Sequence, residues 1–153
     1  RRWRPSPRGA TSSRRAVPDQ PEVRRFASGG PWEDLIGYSR AVAAGPYVHV
    51  SGCTATVDGE VQHAGDAYAQ TVTAFEIALA ALAQAGADVA DVVRTRMYVK
   101  HHADADAVGR AHRELFGEVR PAATMLVVGG FLDQRMLVEV EVDAYVTPGA
   151  ASP

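Results

Sequence analysis

Cysteine is nearly absent from this sequence of 153 residues, which contains only Cys53. A single cysteine excludes an internal disulfide and favours a reducing compartment, so we expect a cytoplasmic protein. Long apolar runs are absent as well: none approaches the ~20 residues that a transmembrane helix requires, and we expect no membrane partner. The five histidines are scattered, without the Cys/His spacing of a zinc site, and we expect neither a metal nor a cofactor.

Positive charge is scarce outside the first 25 residues. Those 25 residues contain eight arginines and two acidic residues, a net charge of +6. The other residues contain eight basic and sixteen acidic side chains, a net charge of −8. Nucleic-acid binding requires clustered Lys and Arg, so the acidic part of the chain argues against a nucleic-acid partner.

The basic segment, residues 1–23, is predicted to be a disordered extension or a mis-assigned start of the chain. Contact with RNA or with an anionic membrane and a role as a transit peptide are the alternatives, although Pro5, Pro7 and Pro18 oppose the amphipathic helix of a transit peptide. We predict one folded domain, residues 24–146, and a flexible tail, residues 147–153.

Side-chain periodicity and turn residues predict a single mixed sheet. Strands are predicted at residues 24–28, 38–43, 47–52, 92–99, 122–128 and 137–146. The Gly and Pro residues of the segment 29–34 predict a loop, and the dipeptide Asp58-Gly59 predicts a tight turn.

Two helices are predicted between these strands. The first runs from an Asp66 cap to Gly86, and the second from an Asp104 cap to Phe116, with Gly117 as its stop. Strands joined by crossover helices on a single side give a two-layer α+β domain with both helices on one face of the sheet.

Apolar and mostly charged side chains alternate along the last predicted strand. One side carries Met136, Val138, Val140, Val142 and Ala144, and the other carries Leu137, Glu139, Glu141, Asp143 and Tyr145. A period of two means that the two sides of the strand meet different surroundings, so the apolar side is expected to lie on the helices.

The other face of the sheet is left uncovered by two helices. It is expected to collect Tyr47, His49, Ser51, Arg94, Arg96, Tyr98, Glu139, Glu141, Asp143 and Tyr145, with Val92, Leu137 and the Ala123/Met125 side of its strand. This set is too apolar for open solvent and too charged for a dry core, so we interpret it as an oligomer interface that encloses wet sites. A solvated face with scattered ion pairs is the alternative.

Ordered short motifs along the chain resemble those of the Rid family (YjgF/YER057c/UK114), whose founding members are 2-iminopropanoate and 2-iminobutanoate deaminases. The motifs are Gly37-Tyr38-Ser39, Val50-Ser51-Gly52, Ala85-Gly86-Ala87, Asp91-Val92-Val93, Arg94 to Val99, Phe116-Gly117, Arg120-Pro121-Ala122 with Thr124, and Met136 to Glu141. The resemblance implies a chorismate-mutase-like fold and a homotrimer with a small-molecule pocket at each subunit interface.

The resemblance also implies roles for particular residues. In the deaminases an arginine after a Pro-Ala pair holds the substrate carboxylate, a glutamate of the last strand positions water, and a tyrosine closes the pocket. In this sequence the tyrosine falls on Tyr38 and the glutamate on Glu141, but the arginine falls on Ala123. A family cysteine falls on Met125, and an asparagine of the second helix falls on Gly109. The departures cluster in the part of the motif that holds substrate.

The alanine at position 123 is expected to change the substrate. Losing a charge-assisted arginine–carboxylate pair costs ~2–5 kcal/mol, so amino-acid-derived imines are not held in the usual manner. Arg96 either supplies the charge or forms a structural ion pair with Glu139 or Glu141. Glu141 either orients water, or it is a structural carboxylate at the subunit interface that accepts hydrogen bonds from backbone donors or from Arg94. Ser51 is a candidate substrate contact without the Gly-x-Ser-x-Gly context of a nucleophile.

Three functions are therefore compatible with the sequence. The first is a hydrolase acting on an imine, an enamine or a related C–N bond, with Glu141 as the catalytic residue and with Tyr38, Ser51, Arg96, Ala123 and Met125 lining the substrate pocket. The second is a metabolite-binding or regulatory protein without catalysis. The third is an RNA-directed inhibitor of translation, which the acidic part of the chain disfavours.

Overall fold

The computed structural model describes residues 22–147. Its strands are β1 (Val23–Phe26), β2 (Ala41–Ala44), β3 (Tyr47–Thr54), β4 (Thr56–Val57), β5 (Glu60–Val61), β6 (Val92–Val99), β7 (Ala122–Val127) and β8 (Val138–Tyr145). Its helices are α1 (Pro31–Ile36), α2 (Ala67–Gln84) and α3 (Ala105–Phe116). The predictions for the basic segment and the tail fall almost entirely outside the described residues.

The main sheet has six strands in the order β1-β2-β3-β8-β6-β7. All neighbours are antiparallel except β6 and β7, which are parallel because α3 forms the crossover between them. Helix α2 packs on β3 and β8, and α3 packs beside α2. The predicted two-layer α+β fold is confirmed.

The alternation of β8 is confirmed as well. Val138, Val140, Val142 and Ala144 are fully buried under the helices, and the charged side chains between them lie on the opposite face. Alanine makes up four of the eight buried residues of α2, which permits a close approach of the helix to the sheet. Asp66 caps α2 through a hydrogen bond from the Ala69 amide.

Three α-helices occur among residues 22–147, one more than predicted. Most of α1 lies in the segment 29–34 that was expected to be a loop, and Pro31 stands in its first turn, where a missing N–H costs nothing. Gly37, at φ 85°, ends the helix in a left-handed conformation. The amide of Tyr38 still donates to the Glu33 carbonyl, so β2 begins at Ala41 and not at residue 38.

The predicted faces of β6 are wrong at the start of the strand. The register between β6 and β8 shifts between Val92 and Arg94, which is a β-bulge. Val92 is therefore buried and Val93 exposed, opposite to the expected alternation, while Thr95, Met97 and Val99 are buried as predicted.

Three further positions do not lie on the uncovered face, where they were expected. Leu137 is buried and belongs to the core cluster. Met125 packs against the core, and its methyl group lies 3.9 Å from the position of a Cβ added to Gly109 in α3. Residues of parallel neighbours that pair in register share a face, so Ala123, the partner of Thr95, lies on the helix side with Met125.

Helix α3 ends differently from the prediction. Gly117 follows the last residue as expected, but its φ of −60° is right-handed, and the left-handed residue is Arg120. Asp104 precedes the helix, but its side chain accepts no capping hydrogen bond from a backbone amide. Among residues 22–147, no helix combines the length and the apolarity that crossing a bilayer requires.

Candidate functional site

A β-bulge in β3 lies at the centre of the candidate site. Val50 pairs with Val142, but the next paired residue, Cys53, pairs with Val140, so Ser51 and Gly52 together oppose one residue of β8. That residue is Glu141. Bulges of this kind redirect side chains beside functional sites. The Ser51 amide and hydroxyl bond to the carbonyls of Arg40 and Ser39, which holds the bulge against the chain that enters β2.

The strand carboxylates, Glu139, Glu141 and Asp143, face this bulge and the neighbouring strand β6. Nη1 of Arg96 lies 3.3 Å from Oε2 of Glu141 and 3.0 Å from Oδ2 of Asp143. The Tyr98 hydroxyl donates to Oε1 of Glu141 at 3.3 Å. Burial and the negative charge of Glu141 raise the pKa of Tyr98, so the hydroxyl stays protonated.

The interpretation of Arg96 as the partner of a structural ion pair is therefore supported. Its partners are Glu141 and Asp143, whereas Glu139 is not among them. Side-chain exposure of 35% for Arg96 and 33% for Glu141 leaves the pair accessible from the open face. A guanidinium bound to two carboxylates is a poor holder for a third anion.

Glu139 is a carboxylate without an ion-pair partner among residues 22–147. Burial and the charge of Glu141 raise its pKa, while Arg40 opposes this shift. A Cβ added to Gly52 would overlap Oε1 of Glu139 and stand 2.9 Å from its carboxyl carbon, so the carboxylate occupies the space that glycine leaves at the bulge. A half-buried carboxyl with a raised pKa is a candidate proton donor or acceptor.

Arg40 joins the bulge to Tyr38. Its Nη1 donates to the Gly52 carbonyl at 2.7 Å, and its Nη2 donates to the Tyr38 hydroxyl at 3.3 Å. Nε of Arg40 lies 3.8 Å from Oε1 of Glu33 and is buried, with no hydrogen-bond partner in the described part of the chain. Tyr38 is thus held at the bulge by a guanidinium, which agrees with a role as a pocket wall.

Cys53 lies beneath the bulge. Its side chain is 2% exposed, and burial raises the pKa of the thiol despite the nearby Arg40. A buried, protonated thiol is a poor nucleophile. Among residues 22–147, no three His, Cys, Asp or Glu side chains are grouped as metal ligands would be.

One chain divides the predicted site residues between two faces of the sheet. Glu141, Arg96, Tyr38 and Ser51 lie around the bulge. Ala123 and Met125 lie on the helix side of the edge strand, next to α3. Within one chain these two groups therefore do not form a single site.

Sequence reasoning missed Arg40 and Glu139 as site residues. Arg40 follows the quoted motif Gly37-Tyr38-Ser39 directly, but no pattern indicates that its side chain reaches the β3 bulge. Glu139 shares a face with Glu141, which is visible in the alternation of β8. Its lack of an ion-pair partner among residues 22–147 depends on long-range packing, which that alternation does not reveal.

Comparison with known proteins identifies the family. Residues 33–146 match the endoribonuclease L-PSP family. The chain is 53% identical over 123 residues to an uncharacterized protein of Streptomyces coelicolor, covering 80% of this chain and 92% of that protein. It is 33% identical over 113 residues to the 3-aminoacrylate deaminase RutC of Acinetobacter baylyi, covering 73% and 89% of the two chains.

Solved structures agree with this result. The crystal structure of a YjgF/YER057c/UK114 family member from Mycobacterium tuberculosis matches with a TM-score of 0.74 and 42% identity, over 82% of this chain and all of that chain. A protein of unknown function from Pseudomonas aeruginosa matches with a TM-score of 0.72 and 32% identity, over 82% and 94%. The predicted family is confirmed: the chain belongs to the endoribonuclease L-PSP family, that of the YjgF/YER057c/UK114 (Rid) proteins.

Proposed function

We propose that this protein hydrolyses a C–N double bond, or an enamine in equilibrium with one, in a cleft between subunits of a homotrimer. Proteins of the family are typically oligomeric. The observation that carries the proposal is Glu141, which Arg96 and Tyr98 hold beside the β3 bulge on the same face as Glu139. Groups that are already oriented for a developing charge lower a reaction barrier most effectively.

In this mechanism Glu141 positions the attacking water. Arg96 and Tyr98 each occupy one of its oxygens, and the remaining lone pairs accept a hydrogen bond from water. The water oxygen bonds to the imine carbon while a water proton passes to a carboxylate. Proton transfer to nitrogen and cleavage of the C–N bond then yield a carbonyl compound and ammonia. Glu139, with its raised pKa, is suited to return the proton.

The substrate is proposed to lack the carboxylate that 2-iminopropanoate would place at position 123. Position 123 carries a methyl group, and Arg96 is engaged by Glu141 and Asp143. Met125 adds apolar surface beside position 123. A substrate without a carboxylate at that end therefore fits the proposed cleft better than an amino-acid-derived imine does.

The family description and the RutC relative point to different chemistries. RutC is named for deamination of an enamine, 3-aminoacrylate. The family is described as an endoribonuclease, but residues 22–147 of this chain contain ten basic and seventeen acidic side chains. A net charge of −7 opposes RNA binding, so the deaminase-type chemistry is preferred.

The test uses the purified full chain with three freshly generated substrates: 2-iminopropanoate, 3-aminoacrylate and a carboxylate-free imine of similar size. Ammonia release is followed for wild type, Glu141→Gln and Ala123→Arg, with Glu76→Gln of the exposed side of α2 as the control. We expect slow turnover of 2-iminopropanoate, a gain of about 100-fold from Ala123→Arg, and a loss of about 100-fold from Glu141→Gln on the best substrate.

Two outcomes would overturn the proposal. Turnover of 2-iminopropanoate that Ala123→Arg leaves unchanged would remove the role given to position 123. Ligands that raise the Tm without any turnover would instead support the alternative, a metabolite-binding protein without catalysis.

A further inference from the structure

Arg40 is a mostly buried arginine whose side chain ends at the β3 bulge. It directly precedes β2, and its side chain is 14% exposed. Nη1 donates to the Gly52 carbonyl at 2.7 Å and to Sγ of Cys53 at 3.3 Å, while Nη2 donates to the Tyr38 hydroxyl at 3.3 Å. A planar guanidinium presents its donors in a rigid fork, so one side chain fixes Tyr38 and the bulge relative to each other.

These hydrogen bonds all go to neutral acceptors. Oε1 of Glu33, in α1, lies 3.8 Å from Nε of Arg40, which is beyond hydrogen-bond distance. The carboxylate of Glu33 accepts instead from the amide and the hydroxyl of Ser28. Burial opposes the ionisation of Glu33, but the bonds from Ser28 and the charge of Arg40 lower its pKa. An arginine that served only to pair with Glu33 would place a donor on this carboxylate, so the bonds of Arg40 point to a role at the bulge.

Glu139 meets the same glycine from another side. Its carboxylate fills the space where a Cβ of Gly52 would stand, while the Gly52 carbonyl accepts from Arg40. The charged and titratable side chains around Glu139 are Glu141 of its own strand, Tyr98 of β6, Cys53 of β3 and Arg40. Burial and the charge of Glu141 raise the pKa of Glu139, and the charge of Arg40 counters this shift. The guanidinium therefore influences how readily Glu139 gives up a proton.

We propose that Arg40 is a positioning residue of the proposed hydrolysis and acts through Tyr38 and Glu139. Its fork holds the Tyr38 hydroxyl and the Gly52 carbonyl in one arrangement, which sets the wall of the cleft. Its positive charge stands beside Gly52 and favours the ionised form of Glu139. This inference rests on the proposed function and adds a residue that acts through its neighbours and not on the reacting atoms.

Two substitutions separate the fork from the charge. Arg40→Gln removes the charge but keeps an amide donor for the Gly52 carbonyl. Arg40→Lys keeps the charge, but a single ammonium group does not hold the Gly52 carbonyl and the Tyr38 hydroxyl in one fixed plane. Arg24→Gln is the matched control, because Arg24 is exposed on β1 and donates to the Ala85 carbonyl at the end of α2.

The first measurement is a pH titration of the Glu139 carboxyl carbon by NMR in the full chain, with the signal assigned by its loss in Glu139→Gln. We expect the midpoint in Arg40→Gln to lie about one pH unit above that of wild type, because a lost cation disfavours the ionised carboxylate. The midpoints of Arg40→Lys and Arg24→Gln should stay at the wild-type value.

The second measurement is the pH profile of ammonia release on the best of the three substrates. The limb of kcat/KM that reports Glu139 should move to higher pH in Arg40→Gln by the same amount as the NMR midpoint. Arg40→Lys should leave the profile in place and raise KM about fivefold, the effect of one lost hydrogen bond on the position of Tyr38. A purely structural role would move neither the NMR midpoint nor this limb.

Each property can be refuted on its own. A Glu139 midpoint in Arg40→Gln equal to that of wild type would overturn the role of the charge, and a wild-type KM in Arg40→Lys would overturn the role of the fork. If Arg40→Gln does not fold, Arg40→Lys still decides the second point, since it keeps a cation beside Glu33. A wild-type protein that turns over none of the three substrates would refute the hydrolysis, whereas the NMR titration would still decide whether Arg40 controls Glu139.

Discussion

Gln70 is predicted to hold together the two loops that lead into the candidate site. It lies in α2 and is fully buried. Its Nε2 donates to the carbonyls of Gln62 at 3.1 Å, His63 at 3.3 Å and Arg135 at 2.9 Å. Its Oε1 accepts from the Leu137 amide at 2.8 Å. The residue thus fixes the start of β8, which carries Glu139 and Glu141.

Gln70→Leu keeps the volume of the side chain but removes every one of these bonds. The Leu137 amide is then buried without an acceptor, which costs about 1–3 kcal/mol, and the carbonyls lose a shared donor. We expect a total loss of about 3 kcal/mol in the free energy of unfolding. For a chain of this size that lowers the Tm by about 10 °C at fixed protein concentration.

Gln70→Glu distinguishes the bond that the side chain accepts from the bonds that it donates. The introduced carboxylate still accepts from the Leu137 amide, but its second oxygen faces three carbonyl oxygens. The folded state therefore raises the pKa of the introduced carboxyl above its unfolded value. A raised folded-state pKa makes stability highest at low pH and lost as pH rises, so Gln70→Glu should be less destabilised at pH 5 than at pH 8.

Urea denaturation of the three proteins at both pH values is the measurement. Gln84→Ala, at the exposed end of the same helix, is the control and should stay within about 0.5 kcal/mol of wild type. A Gln70→Leu variant as stable as this control would refute the role assigned to the network. If the loss of stability in Gln70→Glu is the same at both pH values, the introduced carboxyl does not face the three carbonyl oxygens as described.

Three other changes test single contacts. Gly52→Ala places a Cβ 2.9 Å from the carboxyl carbon of Glu139, well inside the ~3.5–4.0 Å of an ordinary contact between carbon atoms, so the glutamate side chain must move away. A changed Glu139 carboxyl signal in NMR with a loss of stability below about 1 kcal/mol is expected, and an unchanged signal would contradict it. Burial and the charge of Glu141 raise the pKa of the Glu139 carboxyl, so its ionised form destabilises the folded state as pH rises. Glu139→Gln removes this cost, and its gain in stability over wild type should therefore be larger at pH 7 than at pH 4. Urea midpoints check this, and an equal difference at both pH values would count against it. Asp66→Ala loses the bond from the Ala69 amide at 2.9 Å and should cost about 1 kcal/mol in the same assay; an unchanged midpoint would show that the cap contributes nothing.

Local patterns predict the layers of this fold well because each layer depends on short-range periodicity. The alternation of β8 identifies which side chains are buried, and the Asp66 cap identifies where α2 begins. Both signals come from a few consecutive residues. Helix α1 cannot be predicted in this way, because six residues between glycines are too few to show a helical period. Its stability depends on tertiary contacts instead.

β-Bulges limit how far the faces of a strand can be predicted from its periodicity. An alternating pattern assigns a face to every residue only while the register is unbroken, and one inserted residue reverses all assignments on one side of it. This happens at Val92, which is buried although its spacing from Arg94 predicts an exposed position. In β3 the inserted residue instead shapes the candidate site, because it leaves Ser51 and Gly52 opposite Glu141.

The periodicity of a strand does not reveal which strand pairs with it across the sheet. Arg96 and Glu141 are 45 residues apart, and they meet because β6 pairs with β8 and not with β3. Strand order is decided by the crossover helices, so the sequence predicts the shared face but not the partner. The same reasoning applies to the proposed cleft: Glu141 and Ala123 lie on opposite faces of one sheet, and no local pattern within a chain can join them. Their meeting therefore depends on the surface between chains, which makes oligomerisation a condition for the proposed chemistry.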